Sequence, residues 1–126
     1  MIEIRTLDCG VKVVLEKLDY VKSAAFGVWC HTGSMDEDKF NSGVSHFIEH
    51  MMFKGTEKRT AKDIAEDMDK IGAHFNAFTG KEATCYYVKA TSENIFGGAE
   101  IILDMLNNSL FDAREMTRER QVIKEE

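Results

Sequence analysis

Proline is missing altogether from these 126 residues, where average usage of about 5% would supply roughly six; nothing in the sequence explains it. Cysteine is scarce: Cys9, Cys30 and Cys85 are odd in number and widely spaced. They form neither a C-x-x-C pair nor a disulfide framework, which favours a reducing compartment and makes Cys30 and Cys85 buried filler in strands. No apolar run approaches the roughly 20 residues of a membrane helix. Met1 to Arg5 lacks a basic flank leading into an apolar stretch, so no secretory signal is read and a cytoplasmic protein without a membrane partner is expected. Positive charge is also short, and a formal net charge of −6 argues against nucleic acid as a partner. It would suit a basic peptide only weakly. Internal repeats, linkers and low-complexity segments are absent. With 44% hydrophobic and 30% charged residues, the chain reads as one globular domain over residues 1–126.

Ile2 to Leu7 and Val11 to Glu16 read as strands around an Asp8-Cys9-Gly10 turn, and Ser23 to His31 as a third strand. Thr32 to Ser42 is polar and reads as a loop between Gly33 and Gly43. A short helix is predicted from about Val44 to Phe53, closed by Lys54-Gly55. Thr60 and Asp63 resemble a capping box for a helix that ends at Ile71-Gly72. Ala73 to Thr79 and Ala83 to Ala90 form a predicted hairpin across Gly80-Lys81. Ser92 is the expected cap of a helix with Ile95, Ala99, Ile102 and Leu106 at helical spacing. A last helix starts near Asp112. Three strands, two helices, two strands and two helices with short turns imply an α+β fold, a largely antiparallel sheet with helices packed on one face.

The stretch that carries chemistry is Ser45-His46-Phe47-Ile48-Glu49-His50-Met51-Met52-Phe53. Histidines four apart on a helix place their imidazoles one above the other, as one Zn²⁺ requires of two nitrogen ligands. Glu49 projects beside the same face and can act as general base towards a water that the metal has made acidic. A lone helical histidine is usually just a satisfied polar residue. Here, however, Val44, Phe47, Ile48, Met51 and Met52 already supply an apolar face. His46, Glu49, His50 and Phe53 form a second, ionisable stripe that needs something to pair with. In the last helix Glu119 and Glu126 are seven apart and point the same way, whereas Glu125 is turned about 100° away. Glu115 is read as part of a solvated charged face.

H-F-I-E-H-M-M-F-K-G-T, then F-N-A-F-T, then E-R-Q-V-I-K-E-E resemble the pitrilysin/insulysin family of zinc peptidases, most of all the mitochondrial processing peptidase type. The resemblance spans nearly the whole chain, including W-C-H-T-G-S-M-D-E before the motif. It implies an inverted H-x-x-E-H site holding one zinc ion, and the zinc-binding N-terminal part of a peptidase domain. Glu126 stands 76 positions after His50, the distance at which the family's third ligand, a glutamate, is found. The family's supporting glutamate, seven residues earlier, falls on Glu119. The resemblance also implies an extended peptide substrate added as a strand along Phe75, Asn76, Ala77, Phe78 and Thr79. Phe53 matches an aromatic that lines a pocket for the residue after the cut. Ordinary strand packing would account equally well for Phe75 and Phe78, less well for Asn76, because Asn is depleted in strand interiors.

Family peptidases are much longer, with a second half that supplies an Arg and a Tyr to the substrate. That half, or a partner subunit, is expected to be needed, so weak zinc binding, self-association and little activity are expected of this stretch alone. A non-catalytic scaffold homologue is one alternative, although such homologues typically lose parts of the motif. Another is a different inverted-motif zinc enzyme such as S-ribosylhomocysteine lyase, against which F-N-A-F-T and Glu119 weigh.

Overall fold

The computed structural model describes all residues from Met1 to Glu126. In chain order the elements are β1 (Ile2–Thr6), β2 (Lys12–Glu16), β3 (Ser23–Cys30), a 3-10 turn at Ser34–Asp36, α1 (Val44–Met52), α2 (Ala61–Lys70), β4 (His74–Thr79), β5 (Thr84–Thr91), α3 (Ile95–Asn108) and α4 (Ala113–Glu125). The α+β class and antiparallel pairing hold, but the strands divide into two sheets. β1 and β2 form a two-stranded hairpin of their own, while β3, β5 and β4 form a three-stranded sheet in that spatial order. Alternation marks a strand without naming its neighbour, so this division was not visible in the pattern.

The core lies on one face of β5. Tyr86 and Val88 pack there against Ile101, Ile102 and Met105 of α3, Ile64 and Met68 of α2, and Met52 of α1. Gly98 lets α3 approach this closely: a Cβ there would stand 2.9 Å from a Val88 methyl group. Sheet parity sends Trp29, Phe78 and Tyr87 to the opposite face, where Trp29 and Phe78 meet edge to face at 5.5 Å. β4 is an edge strand and lies beside α1, which also packs on α4. This arrangement brings the F-N-A-F-T strand and the two histidines together.

Local signals set some of the helix ends but not all. The Thr60–Asp63 capping box of α2 is formed in both directions, at 3.0 and 3.1 Å. The Ser92 cap is not: α3 begins after Asn94, and the Ser92 N–H donates to Lys22 O at 2.9 Å. Asn94 supplies no side-chain cap either, because its Nδ2 donates to Ile71 O at the end of α2. α1 ends at Met52, and Phe53 is its C-terminal cap residue.

Candidate active site

α1 carries the apolar and ionisable stripes read from the sequence. Met51 and Met52 are buried, whereas His46, Glu49, His50 and Phe53 are all half-buried on the side that meets β4 and α4. Val44 and Ile48, expected on the apolar face, are exposed at its margin. The histidine Nε2 atoms face each other at 2.9 Å, with ring centroids 4.5 Å apart. Glu126 Oε2 lies 3.4 Å from His46 Nε2 and 3.8 Å from His50 Nε2. The three potential ligand atoms fall within 4.8 Å of one another. Two nitrogens about 2.0–2.1 Å from a tetrahedral ion would be about 3.3 Å apart, so a few tenths of an ångström of side-chain movement would admit one. Two imidazoles and a carboxylate also match the donor set of a hydrolytic zinc site.

Glu119 is buried behind His50. Its Oε2 accepts from His50 Nδ1–H at 2.9 Å, and its Oε1 accepts from Lys54 Nζ at 2.7 Å. Burial pushes this carboxyl up, but hydrogen bonds from Lys54 and His50, reinforced by the Lys54 charge, outweigh it and hold it below its usual value. An ionised Glu119 requires His50 Nδ1 to carry the proton, which turns the Nε2 lone pair towards His46 and Glu126. Glu115 instead forms a pair with Arg118 at 2.9 Å, and Glu125 is exposed.

Glu49 Oε2 accepts a hydrogen bond from Thr79 Oγ1. Thr79, named from sequence as part of a substrate strand, therefore also touches the proposed base. A cleft of about 350 Å³ is lined by Glu49, His50, Phe53, Lys54, Phe75 and Asn76. The Phe53 and Phe75 rings lie 5.8 Å apart beside it. On β4, Ala77 N–H donates to the Asn76 side-chain oxygen at 2.8 Å. Phe78 is not part of this group; it lies on the helix-free face with Trp29 and Tyr87.

Sequence reasoning missed Lys54 and the Thr79 hydroxyl. Lys54 lies just past the end of α1, and nothing in its local sequence pairs it with Glu119. All three cysteines are free, and burial raises the thiols of Cys30 and Cys85, which makes them poor nucleophiles. No helix is long and apolar enough to cross a membrane.

The family model described as insulinase, peptidase family M16, matches residues 12–126. A Bacillus subtilis protein described as an uncharacterized zinc protease is 46% identical over the whole chain, which covers 31% of that relative. A probable mitochondrial-processing peptidase subunit beta from Arabidopsis thaliana is 40% identical over 98% of the chain, which covers 23% of it. The crystal structure of a protease from Helicobacter pylori superposes with a TM-score of 0.93 at 28% identity, over 99% of this chain and 30% of that one. The chain thus spans less than a third of the length of these relatives. It belongs to the insulinase family of peptidases, family M16.

Proposed function

We propose that the chain provides the zinc-binding part of an endopeptidase, with His46, His50 and Glu126 as ligands of one Zn²⁺ and Glu49 as general base. The observation that carries this reading is the convergence of the two Nε2 atoms and the Glu126 carboxylate within 4.8 Å. Zinc, when bound, would supply a Lewis acid that polarises the scissile carbonyl and lowers the pKa of water. Glu49 removes a proton from the attacking water and returns it to the leaving amine. Thr79 fixes the Glu49 carboxylate through its hydroxyl. Glu119 holds the His50 tautomer, and Lys54 neutralises Glu119.

The substrate in this reading is a peptide in extended form, added to the free edge of β4. The Ala77 amide, now held by the Asn76 side chain, would pair with substrate main chain, and the cleft beside Phe53 and Phe75 would take a side chain. The size of the relatives supports a need for further polypeptide, in the same chain or in a partner subunit. Without it, the β4 edge is available to a second copy.

Chelator competition and peptide cleavage test the assignment. Glu49→Gln should keep zinc and lose nearly all cleavage in the longer protein, whereas His46→Ala or His50→Ala should lose the zinc. Cleavage by Glu49→Gln at the wild-type rate would remove Glu49 from its role. An intact zinc site with no cleavage of any peptide would favour a binding homologue. Sedimentation of the 126-residue chain tests self-association, which Ala77→Pro should abolish by removing the edge N–H.

A further inference from the structure

The first turn of α1 has orphan N–H groups and no side chain of its own to satisfy them. Its cap residue is Gly43, at φ 86°, which makes no side-chain cap. Glu37 fills the role from six residues upstream: Oε1 accepts from Gly43 N–H at 2.6 Å and Oε2 faces Ser45 N–H at 3.4 Å. Glu37 is the only half-buried residue from Ser34 to Ser42; the others are exposed. An anion at this position also matches the positive end of the helix dipole.

The segment that carries Glu37 is anchored to the turn after β4. Ser34 N–H donates to Gly80 O at 3.1 Å and Met35 N–H to Lys81 O at 2.9 Å. Gly33 presses so close to that turn that a Cβ would stand 2.4 Å from Gly80 O. The Thr84 hydroxyl donates to Thr32 O at 2.8 Å, tying the same segment to β5. A short path of hydrogen bonds therefore runs from the end of β4, through Ser34 and Met35, to Glu37 and the start of α1. A second, direct contact joins the same two elements, from Thr79 to Glu49.

The geometry points to Glu37 as a positioning residue that fixes α1 against β4 and so sets His46 and Glu49 relative to the peptide edge. It touches neither substrate nor metal in the reading above, on which its importance for zinc rests. Loss of the carboxylate frees the amino-terminal turn of α1, one residue before His46, while β4 and its turn stay in place.

Amide exchange and zinc affinity, measured on the 126-residue chain, test this. Glu37→Ala should speed exchange at Gly43 and Ser45 by about tenfold and weaken zinc by about tenfold, with Glu37→Gln between it and wild type. Asp63→Ala is the control, because it removes the carboxylate that accepts from the Thr60 N–H at the start of α2; it should lower the melting temperature but leave zinc affinity unchanged. Unchanged exchange at Ser45 in Glu37→Ala would overturn the proposal. Equal zinc loss in Glu37→Ala and Asp63→Ala would also overturn it, since general destabilisation would then account for both. If the wild-type chain holds too little zinc for the variants to be compared, exchange alone decides: lost protection at Ser45 keeps Glu37 as the cap that positions α1, and retained protection removes it.

Discussion

Asp104 and Glu119 are exposed by 6% and 5%, and each accepts from a cationic side chain. Around Asp104 the bonding closes on itself. Oδ2 takes the Thr56 hydroxyl at 2.7 Å and Arg59 Nη1 at 2.9 Å, Oδ1 takes Asn108 Nδ2 at 2.8 Å, and Arg59 Nε turns to Asp67 at 3.1 Å. These bonds join the α1–α2 connection to α2 and α3. Around Glu119 the bonding continues outward. His50 gives Nδ1–H to the carboxylate and presents Nε2 to His46 and Glu126 on its far side. Burial of a carboxylate does not by itself mark a functional site. What separates the two is whether a donor's remaining atoms are satisfied within the network or converge on a position that a ligand can fill.

Breaking the closed network should have the largest effect. Asp104→Ala leaves Arg59 without its most buried partner and strands the Thr56 and Asn108 donors, at a cost of about 3–5 kcal/mol. Urea unfolding in chelator should register it fully, because no zinc is involved. A loss below about 1 kcal/mol would mean that the network is ornamental to stability, and the contrast with Glu119 would fail.

Glu119→Gln is the corresponding change on the open side. Supporting groups of this kind are worth about 10–100-fold in metal affinity, or about 1.4–2.7 kcal/mol. The expected signature is weaker zinc in chelator competition with a smaller change in metal-free stability than Asp104→Ala gives. Equal zinc affinity in the variant and wild type would show that His50 needs no orientation from Glu119.

Acid should sharpen the contrast further. Burial raises the Asp104 carboxyl, but hydrogen bonds from Thr56, Asn108 and Arg59 and the Arg59 charge win, and its value is lowered. A carboxyl depressed on folding contributes stability that is fully present above its unfolded value, about 3.9, and is lost as pH falls through the folded value. The stability gap between wild type and Asp104→Asn should therefore be constant from pH 7 to about 5 and shrink below about 4. A gap that widens with acid would reverse the assigned direction.

The parts of this arrangement that were legible in sequence are those set by short-range geometry. His46, Glu49 and His50 share a helix face because of their spacing, and Thr60 with Asp63 closes a box within one turn. The contacts that complete the site join distant residues, Lys54 to Glu119 and Thr79 to Glu49. Pairing across such distances depends on packing that no local pattern encodes. The separation of β1–β2 from the main sheet escaped for the same reason. Phe78 is a different matter. The resemblance treats F-N-A-F-T as one block, yet residues an odd number apart on a strand face opposite ways, which divides Phe75 from Phe78 on sequence alone.

That division yields the smallest predicted effect and the most local form of the comparison. Phe75 packs by Phe53 at the cleft, whereas Phe78 packs edge to face with Trp29 on the other side of the same strand. Phe78 is already 45% exposed, so Phe78→Ala forfeits part of one aromatic pair, worth about 0.5–1.5 kcal/mol. It should leave zinc affinity within about twofold of wild type, because the ring lies with Trp29 and Tyr87 on the other face of the sheet. Phe75→Ala should cost more stability, through the half-buried ring and the lost contact with Phe53, and should enlarge the cleft beside Glu49. In the longer protein the two variants should separate again: Phe75→Ala should alter which peptide side chains are accepted, and Phe78→Ala should not. If Phe78→Ala changed peptide preference as much as Phe75→Ala, the substrate would have to contact both faces of β4. An extended strand added at its edge could then not account for the selectivity.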